Sequence, residues 1–439
     1  MDTRLATEDA PPIGYAAQTR RSVGAGPAPS PGRRAATVPG TARASARNVD
    51  VSPRLATVTV WDLAVVGAGP AGLSAAYVAA RAGLATLVLE RAVHPRYKTC
   101  GGGLIGTSLA ALADRIEVPA QDRADRVTFT LDGRRAFTRR SATGPLVTMV
   151  RRDEFDDRLR AAAVAAGAKL RQRVAVRAVE SEPDRVRLRL ADGATVTARA
   201  VIGADGSSGV TARHVGVRHR QVDLGLELEL PVAPAQRARW RGRVLLDWGP
   251  LPGSYAWVFP KDDLLTVGVI AARGTGEQTR AYLRSFVDRL GLAGVEPAHD
   301  SGHLTRCRRE DSPLRRGRVL VAGDAAGLLE PWSREGISYA LRSGALAGAA
   351  VAADDLGRYE SAVAGELVPP MRAGQRLLET FARRPGLFHG LLATPPGWRT
   401  FVAFCQGRAG FDDLLSRVPV RVALGVLAGP PRRSNARPR

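Results

Sequence analysis

The stretch Asp62-Leu-Ala-Val-Val-Gly67-Ala-Gly69-Pro70-Ala71-Gly72 constrains this chain more than any other. Leu63 to Val66 is a short, β-branched-rich apolar run of the kind that forms a parallel strand buried on both faces. Gly67 turns the chain where a side chain would clash, Gly69 lets the backbone approach a pyrophosphate, and Gly72 lets the next helix pack close to the strand. The spacing predicts that helix over Leu73–Ala82, with Leu73, Ala76, Tyr77 and Ala80 on its apolar face. Its N-terminus presents free N–H groups and partial positive charge to a phosphate. A second strand, Ala85–Leu89, ends in Glu90, about 20 residues beyond the glycines, where a carboxylate grips a ribose hydroxyl. The order of strand, glycines, helix, strand and carboxylate carries this reading; a glycine-rich loop alone would not.

At 439 residues the chain is long enough for two or more domains. Its net charge is +22, and apart from Lys98, Lys169 and Lys261 every basic residue is arginine. Genome composition alone produces such a bias. Where the bias serves a function it points to an anionic surface, and without a nucleic-acid-binding motif the expected surface is a membrane leaflet, not nucleic acid. The three cysteines, Cys100, Cys307 and Cys405, have neither metal-ligand spacing nor a disulfide framework. No metal is therefore expected, and a reducing cytoplasm is. No stretch reaches the roughly 18 apolar residues of a spanning helix, so any membrane contact is expected to be peripheral, at the inner face.

Residues 1–58 are rich in Ala, Pro, Gly, Ser and Arg without helical or strand period, and are expected to form a disordered tail. After Glu90 and Arg91 comes Cys100-Gly101-Gly102-Gly103, where adjacent glycines imply close backbone approach to something flat or phosphorylated. Residues 125–140 read as a hairpin turning at Asp132-Gly133. Asp153 is expected to cap a helix running to about Ala166. A meander over Val174–Val179, Arg185–Leu190 and Thr195–Arg199 precedes a buried strand, Ala200-Val-Ile-Gly203-Ala-Asp205-Gly206. Residues 216–311 read as β-rich with one helix, Gly276–Leu290. Arg318-Val-Leu-Val-Ala-Gly323-Asp324 is another apolar strand with Gly-Asp at its C-terminal end, where ligands sit in open α/β sheets. Pro331 and Glu335-Gly336-Ile337 lead into a helix reaching about Ala353. Residues 366–439 read as helical, broken at Pro385 and Pro395-Pro396.

The order of these motifs resembles the FAD-dependent oxidoreductases of the hydroxylase-like flavoprotein superfamily, and within it the geranylgeranyl reductase family, over most of residues 60–365. Gly67, Gly69, Pro70, Ala71 and Gly72 match the family's pyrophosphate loop, and Glu90, followed by Arg91, its adenosine-ribose ligand. Gly203-Ala-Asp205-Gly206 matches the second fingerprint, and Gly323-Asp324 the third, whose aspartate holds the ribityl hydroxyls. Arg152, in Arg-x-x-Phe-Asp, matches an arginine near the middle of the flavin. Two features point to the reductases: the Cys100 to Gly103 run, with Gly102 at the cofactor, and Tyr255-x-Trp257-x-Phe259-Pro260, similar to the family's substrate-cavity signature. There are departures: Ile270 stands where a second glycine is usual, and Arg334 where a glycine is commoner.

The resemblance implies an α/β fold: a Rossmann-type FAD-binding domain interleaved with a mixed β-sheet substrate domain, then a helical C-terminal part. The expected FAD-binding domain spans 59–105, 148–215 and 312–362, the substrate-binding domain 106–147 and 216–311, and the helical region 363–439. The implied reaction is saturation of carbon–carbon double bonds of an isoprenoid, either a geranylgeranyl group or the prenyl tail of a quinone or lipid. Gly336 and Ile337, with Pro331 shaping the bend, are expected to bring a helix N-terminus to the flavin. With strand alternation Tyr255, Trp257 and Phe259 face one side, as a substrate wall would require. Tyr255 and Cys100 are the candidate proton donors. No second dinucleotide loop is present, so electrons are expected from NAD(P)H or from a ferredoxin or flavodoxin as donor protein. The alternative is a monooxygenase or halogenase of the same fold, since halogenases carry a similar W-x-W-x-I-P stretch.

Overall fold

The computed structural model describes residues 59–113 and 115–416. The tail expected over 1–58 and the end of the helical C-terminal region lie outside the described residues. Among the described residues the backbone forms an eight-stranded, a seven-stranded and a three-stranded sheet, together with helices.

The eight-stranded sheet is built on Val60–Val66, paired in parallel with Thr86–Glu90 on one side and Thr195–Gly203 on the other. Lys169–Gln172 and Val319–Val321 extend it, again in parallel. Leu63 to Val66 and Leu87 to Leu89 are all buried, which is why they read as unbroken apolar runs, not alternating ones. The meander's last strand and the buried strand after it are one continuous element, Thr195–Gly203. Its first half pairs antiparallel with Val186–Leu190, and both halves keep their apolar side chains buried.

The first helix is Pro70–Arg81, three residues earlier than the expected start. Proline at the first helical position has φ preset and lacks only an N–H that would be unpaired there. Helix Ile337–Ala352 packs along it at backbone contact: a Cβ on Gly344 would run into the Ala71 carbonyl. The Ser74 hydroxyl donates to the Leu341 carbonyl across that seam at 2.7 Å. Helix Arg152–Ala165 is preceded by Arg151 as its N-cap, so Asp153 lies inside the first turn, favourable to the helix dipole, instead of capping it.

The seven-stranded sheet runs in the order His299–Arg308, His219–Pro231, Leu264–Ala272, Tyr255–Lys261, Arg243–Trp248, Arg126–Leu131, Arg134–Arg140. The hairpin turns at Asp132-Gly133 as expected, both residues having positive φ. Helix Gly276–Arg289 covers one face, packing Tyr282, Leu283 and Phe286 on Leu226, Val258 and Val267. A second helix in this region, Pro234–Trp240, is too short and polar to show a period in the sequence. The other face carries Val127, Phe129 and Trp248 against Phe381, Phe388, Leu392 and Val402 of the C-terminal helices. Those helices, Val368–Arg383, Pro385–Ala393 and Pro395–Cys405, break at the expected prolines.

Candidate active site

A single cavity of about 1760 Å³ is bounded by the turns of the first sheet, the inner face of the second and the C-terminal helices. That is more than the 300–1,000 Å³ usual for one drug-sized ligand. Gly67, Gly69, Pro70, Ala71, Glu90, Arg91, Gly102, Arg152, Asp205, Asp324, Gly336 and Ile337 all line it, as do Cys100, Tyr255 and Trp257. Gly72, Gly323 and Pro331 support the wall from behind. Gly72 packs on the Gly67 carbonyl, Gly323 on Ala71 and Ala340, and the Pro331 carbonyl accepts from Gln221 Nε2 at 3.1 Å.

The glycines divide by role. A Cβ on Gly67 (φ +102°) would run into the Ala204 carbonyl, so that position is closed. A Cβ on Gly69 would meet nothing nearer than Arg96 at 3.8 Å, so that position opens on the cavity. The N-terminal end of helix Pro70–Arg81 lies there with no acidic residue in its first turn, which makes an anion cradle. Glu90 is held across it: Ala68 N–H donates to Oε2 at 2.7 Å and Ala92 N–H to Oε1 at 2.9 Å. Asp205 accepts from the Thr211 amide at 3.2 Å and from its hydroxyl, tying the turn after Gly203 to helix Val210–Val215. These residues fit FAD: an open glycine at a helix N-terminus for the pyrophosphate, and a fixed carboxylate at the end of the next strand for the ribose.

Asp324 sits in a 3₁₀ turn, Gly323–Ala326, whose first residue packs on Ala71, and lies 3.5 Å from His303 Nε2. Burial alone would push its carboxyl up, but His303, Lys98 and Arg152 hold it below the ordinary aspartate value. Arg152 is locked by two 2.9 Å bonds to Asp156, which also pairs with Arg96. Helix Ile337–Ala352 begins at Gly336 beside these groups. Arg334 has φ +57°, which accounts for the glycine usual there, and its Nε donates to Asp223 at 3.1 Å with both side chains buried.

The inner face of the second sheet is ordered in rows across the strands. In the central row, Ser301, Glu227, Gly268, Trp257, Leu246 and Phe129 stand opposite one another in turn. Tyr255 lies in the row on one side, opposite Ile270, and Phe259 in the row on the other. All three signature aromatics therefore face the cavity, with ring centroids 5.8 and 6.3 Å apart. Gly268 is required: a Cβ there would penetrate the Trp257 ring. The Tyr255 hydroxyl donates to the Ser333 carbonyl at 2.5 Å, and burial pushes it well above its ordinary range. The Cys100 thiol accepts from Gly102 N–H at 3.4 Å.

Sequence reasoning missed Lys98 and Glu227, which also line the cavity. Burial, then the Arg152 charge, push the Lys98 ammonium below its ordinary range. Glu227 belongs to a run, Leu224 to Leu230, that alternates leucine with glycine or glutamate. Such alternation usually marks a solvated sheet face; here the polar face looks into the cavity. Among the described residues no metal-binding cluster occurs, and no helix is long and apolar enough to cross a membrane.

A site that joins a pyrophosphate cradle to a buried, aromatic-walled cavity defines an FAD-dependent oxidoreductase. A family model described as an FAD binding domain matches residues 60–238. The chain is 32% identical over 319 residues to the menaquinone reductase of Mycobacterium tuberculosis, covering 68% of this chain and 78% of that protein. It is 27% identical over 339 residues to the chloroplastic geranylgeranyl diphosphate reductase of rice, covering 71% of each. A geranylgeranyl bacteriochlorophyll reductase-like protein of Thermoplasma acidophilum shares the fold, with a TM-score of 0.69 at 21% identity over 84% of this chain and all of that one. This chain belongs to the geranylgeranyl reductase family of flavoproteins.

Proposed function

We propose that the protein saturates carbon–carbon double bonds in an isoprenoid, either a geranylgeranyl group or the prenyl tail of a quinone or lipid. The observation that carries this reading is the wall. From Trp257 the central row continues through Leu246 to Phe129, beneath Phe401 of the C-terminal helices at a centroid distance of 5.2 Å. A long apolar corridor of this kind suits a long apolar chain.

Bound FAD supplies the hydride. The protein's own groups hold and orient the reactants: Glu90 and the Gly67–Gly72 turn at the adenosine end, Arg152 and Asp324 nearer the sheet, and the Gly336–Ile337 helix end, which favours added negative charge beside it. The packed aromatic wall excludes water from the reacting carbons. Electrons come from an external donor, NAD(P)H or a small ferredoxin or flavodoxin. Leu391, on helix Pro385–Ala393, lines the cavity and is 49% exposed, and Arg384 and Arg399 flank it in the sequence. This arrangement suits entry of a tail from an anionic leaflet.

The test is an anaerobic incubation of the FAD-loaded protein, reduced until its yellow colour bleaches, with geranylgeranyl lipids and a prenylated quinone. The expected product is heavier by two hydrogens for each bond saturated. Turnover that needs oxygen and yields a hydroxylated or halogenated product overturns the proposal in favour of the monooxygenase or halogenase reading.

A further inference from the structure

Adding hydrogen across a double bond takes a hydride and a proton. Of the two donors the sequence offers, the Tyr255 hydroxyl is committed to the Ser333 carbonyl; the Cys100 sulfur accepts the Gly102 amide and keeps its S–H, but a thiol is an intrinsically weaker acid than a carboxyl. We propose that Glu227 is the acid that protonates the substrate, and that Ser301 and Tyr97 return a proton to it from solvent.

The proposal rests on the isoprenoid reading above. Glu227 lines the cavity in the same row as Trp257, separated from it only by Gly268, which has no side chain. The Trp257 indole lies over the bare Gly268 backbone, so a chain lying on that ring is brought beside the Glu227 row. The carboxyl is 2% exposed and is aimed by the Cys100 amide, which donates to Oε1 at 3.1 Å. The groups facing it are Glu229 on its own strand, Lys261 on the Tyr255–Lys261 strand, Lys98, Tyr97 and Cys100 on the preceding loop, and Ser301 with its neighbour His299 on the edge strand. Burial is the main cause that raises its carboxyl to about 7, offset in part by Lys261, so a large share of the molecules, about half, hold this proton at neutral pH. A polar line leads outward: Ser301 stands directly opposite Glu227, its hydroxyl is 2.8 Å from the Tyr97 hydroxyl, and Tyr97 is 39% exposed.

The step balances. The Glu227 O–H bond breaks and a C–H bond forms at one olefinic carbon. The other carbon receives the hydride that reduced FAD supplies, and the π bond is consumed. The carboxylate left behind regains its proton through Ser301 and Tyr97 from water.

The experiment compares wild type, Glu227→Gln and Tyr97→Phe as holoenzymes, in single turnover and in steady state, with a prenylated quinone. Glu227→Gln is expected to lose about 10²-fold or more in olefin reduction. It should also lose a protonated-carboxyl infrared band that wild type shows below pH 7. Tyr97→Phe is expected to keep the first turnover and slow the subsequent ones. Unchanged single-turnover olefin reduction in Glu227→Gln overturns the proposal, as does survival of the infrared band. Should Glu227→Gln not retain FAD, the wild-type band and Tyr97→Phe decide: no band, or a steady state equal to wild type, overturns it. A wild type inert towards every prenyl acceptor fails the isoprenoid reading itself. An active wild type with an equally active Glu227→Gln fails this proposal alone.

Discussion

Asp324, partly exposed, and Glu227, buried, are carboxyls of one cavity, and their surroundings drive them apart. His303, Lys98 and Arg152 keep Asp324 ionised, ready to accept from hydroxyl groups, whereas burial raises Glu227 so that it gives up its proton only near pH 7. Asp324→Ala should therefore lower FAD affinity by about tenfold or more, the worth of a charged hydrogen bond. Flavin content after dialysis measures this, and full occupancy would count against the assignment. Glu227 also links stability to pH. Its folded value of about 7 lies above the ordinary 4.5, so the folded chain binds this proton more tightly than the unfolded one. The contribution is fully present below 4.5 and is lost as pH rises through about 7. It amounts to about 3 kcal/mol at most. Glu330 is raised too, to about 6, so only the difference between wild type and Glu227→Gln isolates the effect. Melting temperatures of the two should lie together at the acid end of that window and separate at the alkaline end, wild type falling below; parallel curves would contradict it.

Elements dominated by one period were legible in the sequence, and elements that answer to two demands were not. The Val60–Val66 strand, the glycine turn and the Ile337–Ala352 helix each follow a single rule, burial on both faces or a helical stripe, and lie within a few residues of their expected places. The Thr195–Gly203 strand changes partners along its length, antiparallel to Val186–Leu190 and then parallel to Val319–Val321, so its two halves read as separate strands. The His219–Pro231 strand presents leucines to helix Gly276–Arg289 and Glu227 to the cavity, a placement no local pattern distinguishes from a wet surface. Arg334 could be placed only once its left-handed backbone and its Asp223 partner were known. The Tyr255–Lys261 strand gives a sharp test. In Gly268→Ala the new methyl must displace the Trp257 indole, at a cost of about 1–3 kcal/mol. Prenyl reduction should fall about 10²-fold through misplacement of the substrate. Because Gly268 is remote from the pyrophosphate turn, flavin content should be retained. Equal losses in flavin content and prenyl reduction would mean that the row only holds the fold together.

At the scale of the molecule, two sheets divide the labour. The parallel one presents backbone turns and strand ends that fit a charged cofactor; the other supplies a broad wall, roofed by the C-terminal helices over its apolar half. Leu391→Glu should weaken binding to anionic vesicles by about tenfold, since it removes one buried aliphatic side chain's worth of partition energy. It should leave reduction of a short, detergent-solubilised prenyl substrate intact; co-sedimentation and turnover separate the two, and unchanged vesicle binding would move the entrance elsewhere. The bare backbone at Gly268 has a further consequence. It lets the indole lie across the strand towards the acid, so that the two stand side by side over the width of a single residue. A polyene drawn along that surface can seat one unsaturation there at a time. How far the chain is hydrogenated would then be decided by how often it slides and re-seats before leaving, so that product distributions should report dwell time in the corridor and not the intrinsic reactivity of each bond.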